Sequence, residues 1–149
     1  MIIGDTTYFT IQTSDGSEKE ENILNYIISE PSKESAWQIY LLSRSENVMP
    51  TFWHGGYRYR YFIFNENDIN EIKPLQIYDP TPLSENNLLL PQVSLLEKSD
   101  TADVYCTYWN DWKGLVREHV KIYFHEDKTI SLKECEELVL FPYNCGICF

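Results

Sequence analysis

The chain predicts an α+β fold, with two N-terminal helices packed on a mainly antiparallel sheet in a single two-layer domain spanning residues 1–149. Three observations lead there. Two segments before residue 45 carry apolar residues at helical spacing and are parted by Pro31. Tyr57-Arg-Tyr-Arg-Tyr-Phe-Ile-Phe64 alternates with period two, the pattern of a strand. From Asp103 onward, β-branched and aromatic runs are separated by turn residues, which reads as a meander. A length of 149 residues with 43% apolar content suits one core.

Taken in order, Gly4 to Thr13 contains Tyr8-Phe-Thr-Ile11, a strand that ends in a turn at Ser14-Asp15-Gly16. Ser17-Glu-Lys-Glu-Glu21 opens the first expected helix, with acids where the macrodipole favours them. Its stripe is Ile23, Leu24, Ile27 and Ile28, and Glu30-Pro31 stops it. Ser32 caps the second helix, which runs to about Arg44. Its stripe is Ala36, Trp37, Tyr40 and Leu41, widened by Ile39 and Leu42.

Gly55-Gly56 permits a reversal from Phe52-Trp53 into the strand over 57–64. One face of that strand carries Tyr57, Tyr59, Tyr61 and Ile63, the other Arg58, Arg60, Phe62 and Phe64. Asn65 to Asn70 is Asn/Asp-rich and reads as a loop, Leu75-Gln-Ile-Tyr78 as a short strand, and Asp79-Pro-Thr-Pro82 as a turn or linker. An irregular excursion to Pro91 follows, with Leu88 to Leu90 docked on the core. The meander then comprises Asp103–Trp109, a hairpin loop at Asn110–Gly114, Leu115–Phe124, a turn at His125–Lys128, Thr129–Leu132 and Glu137–Phe141.

Charge narrows the class of partner. Twelve Lys and Arg face 23 Asp and Glu, for a formal net charge of −11. Nucleic acids and anionic membranes select a positive field, so neither is expected as a partner; a basic protein is. The acids are spread along the chain, so an acidic surface must be assembled by the fold. The N-terminus lacks the basic and apolar regions of a secretory signal, and no apolar run approaches 18 residues. A cytoplasmic location is expected, with the four Cys as reduced thiols.

Glu118 interrupts a strand face otherwise built from Val116, Val120, Ile122 and Phe124. A carboxylate there needs a partner. Arg58 and Arg60 are the candidates, for an ion pair or, in a second reading, for a general base in a pocket. His54, His119 and His125 show no spacing that joins them. Cys145-Gly-Ile-Cys148 has no second pair, so a zinc site would require Cys106 and Cys135 to converge on it; no metal and no cofactor are expected. Phosphate-loop, dinucleotide, nucleophile-elbow and zinc-protease motifs are missing, and no enzymatic activity is expected. Trp109-Asn-Asp-Trp112 sets two indoles and an acid at a hairpin tip, and Trp53 precedes another turn. Trp109, Asp111, Trp112 and Trp53 are therefore candidates for a partner-binding surface, the alternative being indoles packed into the core.

In size, acidity, Tyr and Trp content and lack of catalytic motifs, the chain resembles bacterial immunity proteins of contact-dependent inhibition and polymorphic toxin systems. The resemblance is of class, and it carries no residue role over. It implies one-to-one binding of a cationic, nuclease-type toxin. The other readings are a small-ligand-binding accessory α+β protein, or a small enzyme using Glu118 with Arg58, Arg60 or a His.

Overall fold

The spine of the fold is the meander in the last third of the chain. A computed structural model describes residues 8–44, 60–74, 88–96, 98, 100–144 and 146. The elements are β1 (Tyr8–Gln12), β2 (Glu18–Asn22), a 3-10 turn (Ile23–Tyr26), α1 (Lys33–Ser43), β3 (Tyr61–Ile63), α2 (Glu66–Glu71), β4 (Gln92–Leu96), β5 (Thr101–Asn110), β6 (Gly114–Phe124) and β7 (Ile130–Pro142). β5 and β6 pair antiparallel from Thr101↔Tyr123 to Asn110↔Gly114. β7 pairs antiparallel with β6 on the far side. Along the other side of β5, β3 pairs with Thr107–Trp109 and β4 with Thr101–Tyr105.

Alternation along β5 and β6 sends Ala102, Val104, Cys106, Tyr108, Val116, Val120, Ile122 and Phe124 to one face, where they form a core with Ala36, Ile39 and Tyr40 of α1. Each fully buried aliphatic side chain there contributes about 1.5–3 kcal/mol. α1 starts where Ser32 caps it, its side chain accepting a hydrogen bond from the Ser35 backbone N–H at 3.0 Å. Among the described residues, a second core cluster covers one end of the opposite face. There Ile63, Trp109 and Leu115 pack with Ile69 and Ile72 from α2 and its C-terminal cap and with Leu89. That end has helices on both faces, where two layers were expected.

Several local expectations are corrected. The first expected helix is instead the strand β2 followed by the 3-10 turn. The acidic run lies wholly before its apolar stripe, so a helix there would gain little burial. The turn at Asp15-Gly16 lets the run pair with β1, from Gln12↔Glu18 to Tyr8↔Asn22. Of the stripe, Leu24 is buried, Ile27 is half-buried and Ile28 is exposed. The loop expected over Asn65–Asn70 is the short helix α2, closed by a reciprocal capping box between Asn65 and Asp68 and anchored by Ile69 and Ile72. β4 was not anticipated.

Residues 130–142 form one strand where two were expected. Register shifts against Leu115/Val116 and His119/Val120 absorb the break in alternation without ending the ladder. The strand expected over 57–64 is seen as β3; Tyr57 to Tyr59 and the candidate strand Leu75–Tyr78 lie outside the described residues.

Candidate functional site

β6 carries Glu118 into the core face beneath α1, where the residue is 3% exposed. Tyr40 and Arg44 reach it from one side of α1, four residues apart and so on one helix face. Arg60 reaches it from the residue before β3. The carboxylate accepts on both oxygens. Oε1 takes the Tyr40 hydroxyl and Arg44 Nε at 3.1 Å; Oε2 takes Arg44 Nη2 at 3.1 Å and Arg60 Nη1 at 2.8 Å. Arg44 is 1% exposed, and its remaining nitrogen Nη1 is buried without a hydrogen-bond partner.

The cluster continues outward to β7. Arg44 Nη2 lies 3.0 Å from the exposed Glu134, and Arg60 Nη2 lies 3.7 Å from Glu137. Glu137 also accepts from the Tyr108 hydroxyl at 2.7 Å and pairs with Lys113. The Arg60 guanidinium lies over the Tyr108 ring, 4.6 Å from its centroid.

Burial, then the Glu118 charge, pushes the Tyr40 phenol up, so it stays a donor. Burial works against the Arg44 cation, but Glu118 overrides it and the pKa rises. Burial also pushes Glu137 up, but the hydrogen bonds from Lys113 and Tyr108 outweigh it and hold the group below its usual value. The Cys106 thiol, beside this cluster, is pushed up to about 12, chiefly by burial. With both Glu118 oxygens doubly engaged, the site is built to hold charge in the core. The sequence pointed to Glu118 and Arg60 but missed Tyr40 and Arg44. Their four-residue spacing on the apolar face of α1 was the available signal.

On the opposite face, Arg117 is also buried and has no carboxylate partner among the described residues. It donates to the Leu88 carbonyl, to Gln92 Oε1 at 2.9 Å and to Thr107 Oγ1 at 3.2 Å. Burial lowers its pKa. These bonds clamp the segment before β4 onto the sheet. His119 Nε2 lies 2.7 Å from Asp103, and its ring stacks on Tyr105 at 4.3 Å. His125 lies six residues beyond His119, roughly 20 Å along the extended chain, and meets Ser131 at 2.9 Å.

Of the candidate aromatic anchors in the hairpin after β5, Trp109 takes the core-packed alternative. Trp109 is 5% exposed, packs on Tyr143 at 5.0 Å between ring centroids, and donates its Nε1–H to Asp111 at 2.8 Å. Its indole is core, and Asp111 is occupied in holding it. Trp112 is half-buried. Trp53, His54, Arg58, Cys145 and Cys148 lie outside the described residues. Cys106 is buried and Cys135 exposed, both as free thiols, and among the described residues no cluster of His, Cys, Asp or Glu has the makings of a metal site.

The most exposed part of the main sheet is the middle of β7. Every residue from Lys133 to Val139 is exposed, whereas β5 and β6 are buried or half-buried throughout. Leu138 is 51% and Val139 47% exposed. A groove of about 310 Å³ runs beside this stretch, lined by Glu118, His119, Val120 and residues 134–137. Comparison with family models, with curated proteins and with solved structures gives no match.

Proposed function

We propose that the chain is a non-enzymatic binder of a basic protein, acting as an immunity protein that neutralises a cationic, nuclease-type bacterial toxin in the cytoplasm. The observation that carries this reading is the exposed run on β7, in which Glu134, Glu136 and Glu137 adjoin bare Leu138 and Val139. A net charge of −11 surrounds it. Carboxylates beside apolar surface suit a cationic partner, because the charge steers encounter and the apolar groups hold the complex. No helix among the described residues is long and apolar enough to cross a membrane. The enzyme reading through Glu118 loses its support, since the acid is saturated by Tyr40, Arg44 and Arg60.

The test is binding kinetics against a panel of basic nuclease domains, with acidic proteins as controls. The expected result is a one-to-one complex whose association slows about tenfold or more from low to physiological salt, with dissociation nearly unchanged. Lack of binding to every basic domain would remove the reading. A second reading, small-ligand binding, has one observation in its favour: an apolar hollow of about 530 Å³ lined by Trp37, Leu41, Phe64, Leu90 and Pro91. A small apolar molecule that co-purifies and raises the melting temperature would favour it.

A further inference from the structure

The outer edge of β7 carries an inference about how a partner is held, and it rests on the binder reading above. β7 is the last strand of its sheet: it pairs with β6 on one side, and among the described residues no strand pairs with the other. The strand is 13 residues long, whereas natural edges are usually kept short or closed off by inward charge, Pro or a covering element. Here the bulges re-aim the strand, but its middle is exposed and, among the described residues, neither α1 nor α2 covers Lys133 to Val139. An edge of this kind presents a row of backbone N–H and C=O groups to any extended chain that can approach.

The side chains decide which chain that is. A second copy pairing here would set Glu134, Glu136 and Glu137 against an identical carboxylate run, with only Lys133 to offset it, and like charges opposite each other in a ladder are destabilising. A strand alternating Lys or Arg with β-branched residues meets the opposite situation. The register places Glu134, Glu137 and Val139 on the α1 face and Glu136 and Leu138 on the other, so the added strand's cations can face Glu134 and Glu137 while its apolar side chains meet Leu138 beside Glu136. Glu134 and Glu137 are already tied to Arg44 and to Tyr108 and Lys113, so their positions are held before any partner arrives.

We propose that the β7 edge binds an extended basic segment of the partner by strand addition, pairing along Lys133–Val139. Backbone pairing supplies the hold, and the glutamates supply the preference for a cationic strand.

The probe is a capped ten-residue peptide alternating Lys and Val, read by amide hydrogen exchange on the full chain. A Lys–Gly peptide of equal charge and a Glu–Val peptide are the controls. The Lys–Val peptide should slow exchange by about tenfold or more at outward-facing amides within residues 133–139 and leave β5 unchanged, while the controls should not. Glu136→Lys and Leu138→Lys alter exposed side chains, so both variants should keep the parent circular dichroism spectrum and bind the peptide about tenfold more weakly. Protection elsewhere, equal protection by the Lys–Gly peptide, or variants that bind like the parent would overturn the inference. So would a parent dimer in sedimentation that Leu138→Lys dissolves, since the edge would then belong to a second copy. If the chain binds a basic nuclease domain while exchange at β7 stays unchanged, the edge inference fails and the binder reading stands. Binding to neither peptide nor basic domain removes both.

Discussion

Glu118→Gln keeps the shape of the buried acid and removes its charge, which makes it the sharpest probe of the core cluster. In the parent, two guanidinium groups share one carboxylate, and Arg44 is sealed from solvent. Three of the four hydrogen bonds to Glu118 come from arginine, and bonds to charged groups contribute about 1.5–3 kcal/mol each. The amide can still accept on one oxygen, but its NH₂ must face donors. Glu134 remains as a counter-charge to Arg44, but from an exposed position that is well screened. Breaking a buried pair from one side costs about 3–5 kcal/mol, because the remaining charge stays buried. That is about a fifth or more of the stability of an ordinary domain, and at this chain length it lowers the melting temperature by about 10 °C.

Glu118→Leu alone should cost as much, since it strands the same two cations. Glu118→Leu with Arg44→Met should recover about half of that loss or more. Urea unfolding with an unchanged m-value measures all of these. A Glu118→Gln cost below about 1 kcal/mol, or a double variant no better than the singles, would refute the claim that Glu118 neutralises a sealed cation.

Gly114 sits at φ +90°, and a β-carbon there would fall on the Phe141 carbonyl oxygen and lie 2.6 Å from the Tyr143 nitrogen; Gly114→Ala should cost about 2 kcal/mol or more in thermal unfolding. Glu137 has a lowered folded-state pKa, so the stability it gives is present above its unfolded pKa and is lost as pH falls through the folded one; the parent should lose more stability than Glu137→Gln between about pH 5 and pH 3. Trp109→Ala should destabilise by about 3–5 kcal/mol, as for a core aromatic, whereas Asp111→Ala should cost about 1 kcal/mol, and denaturant melts separate the two. Ser32→Ala should remove about 1 kcal/mol through loss of the α1 cap, read by the same melts.

The sequence was most legible where one periodicity acted alone. β6 alternates cleanly, so its buried face and the anomaly of Glu118 could be read from spacing, and α1 announced itself through Ser32 and its stripe. Legibility failed where long-range pairing overrode local preference. The run Glu18–Asn22 has helix-compatible residues, but β1 offers its backbone a partner, and no local rule reports that. Composition alone makes Asn65-Glu-Asn-Asp68 a loop, although Asn three residues before Asp is itself a helix start. Arg44 by itself carries no local signal, because it closes a helix, where a cation is expected for reasons of dipole alone. Its distinguishing partner, Glu118, is 74 residues away.

The core cluster and the acidic exterior belong to one charge distribution. Among the described residues, Arg44, Arg60 and Arg117 are drawn wholly or mostly into the protein, whereas only one carboxylate, that of Glu118, is buried. Cations that would otherwise dilute the surface are thereby withdrawn from it, so the exterior is more negative than the formal charge alone conveys. The arrangement is also directional. From Glu118 the alternation of charge runs through Arg44 to Glu134 and through Arg60 to Glu137, which Lys113 also pairs, so both branches reach carboxylates on the open strand. Those end groups face solvent on one side and a fixed cation on the other, which holds them in place without neutralising the neighbouring Glu136. A surface whose charges are pre-positioned by the core loses less side-chain entropy when a cationic partner docks, and this links buried residues of the core to the exposed middle of β7.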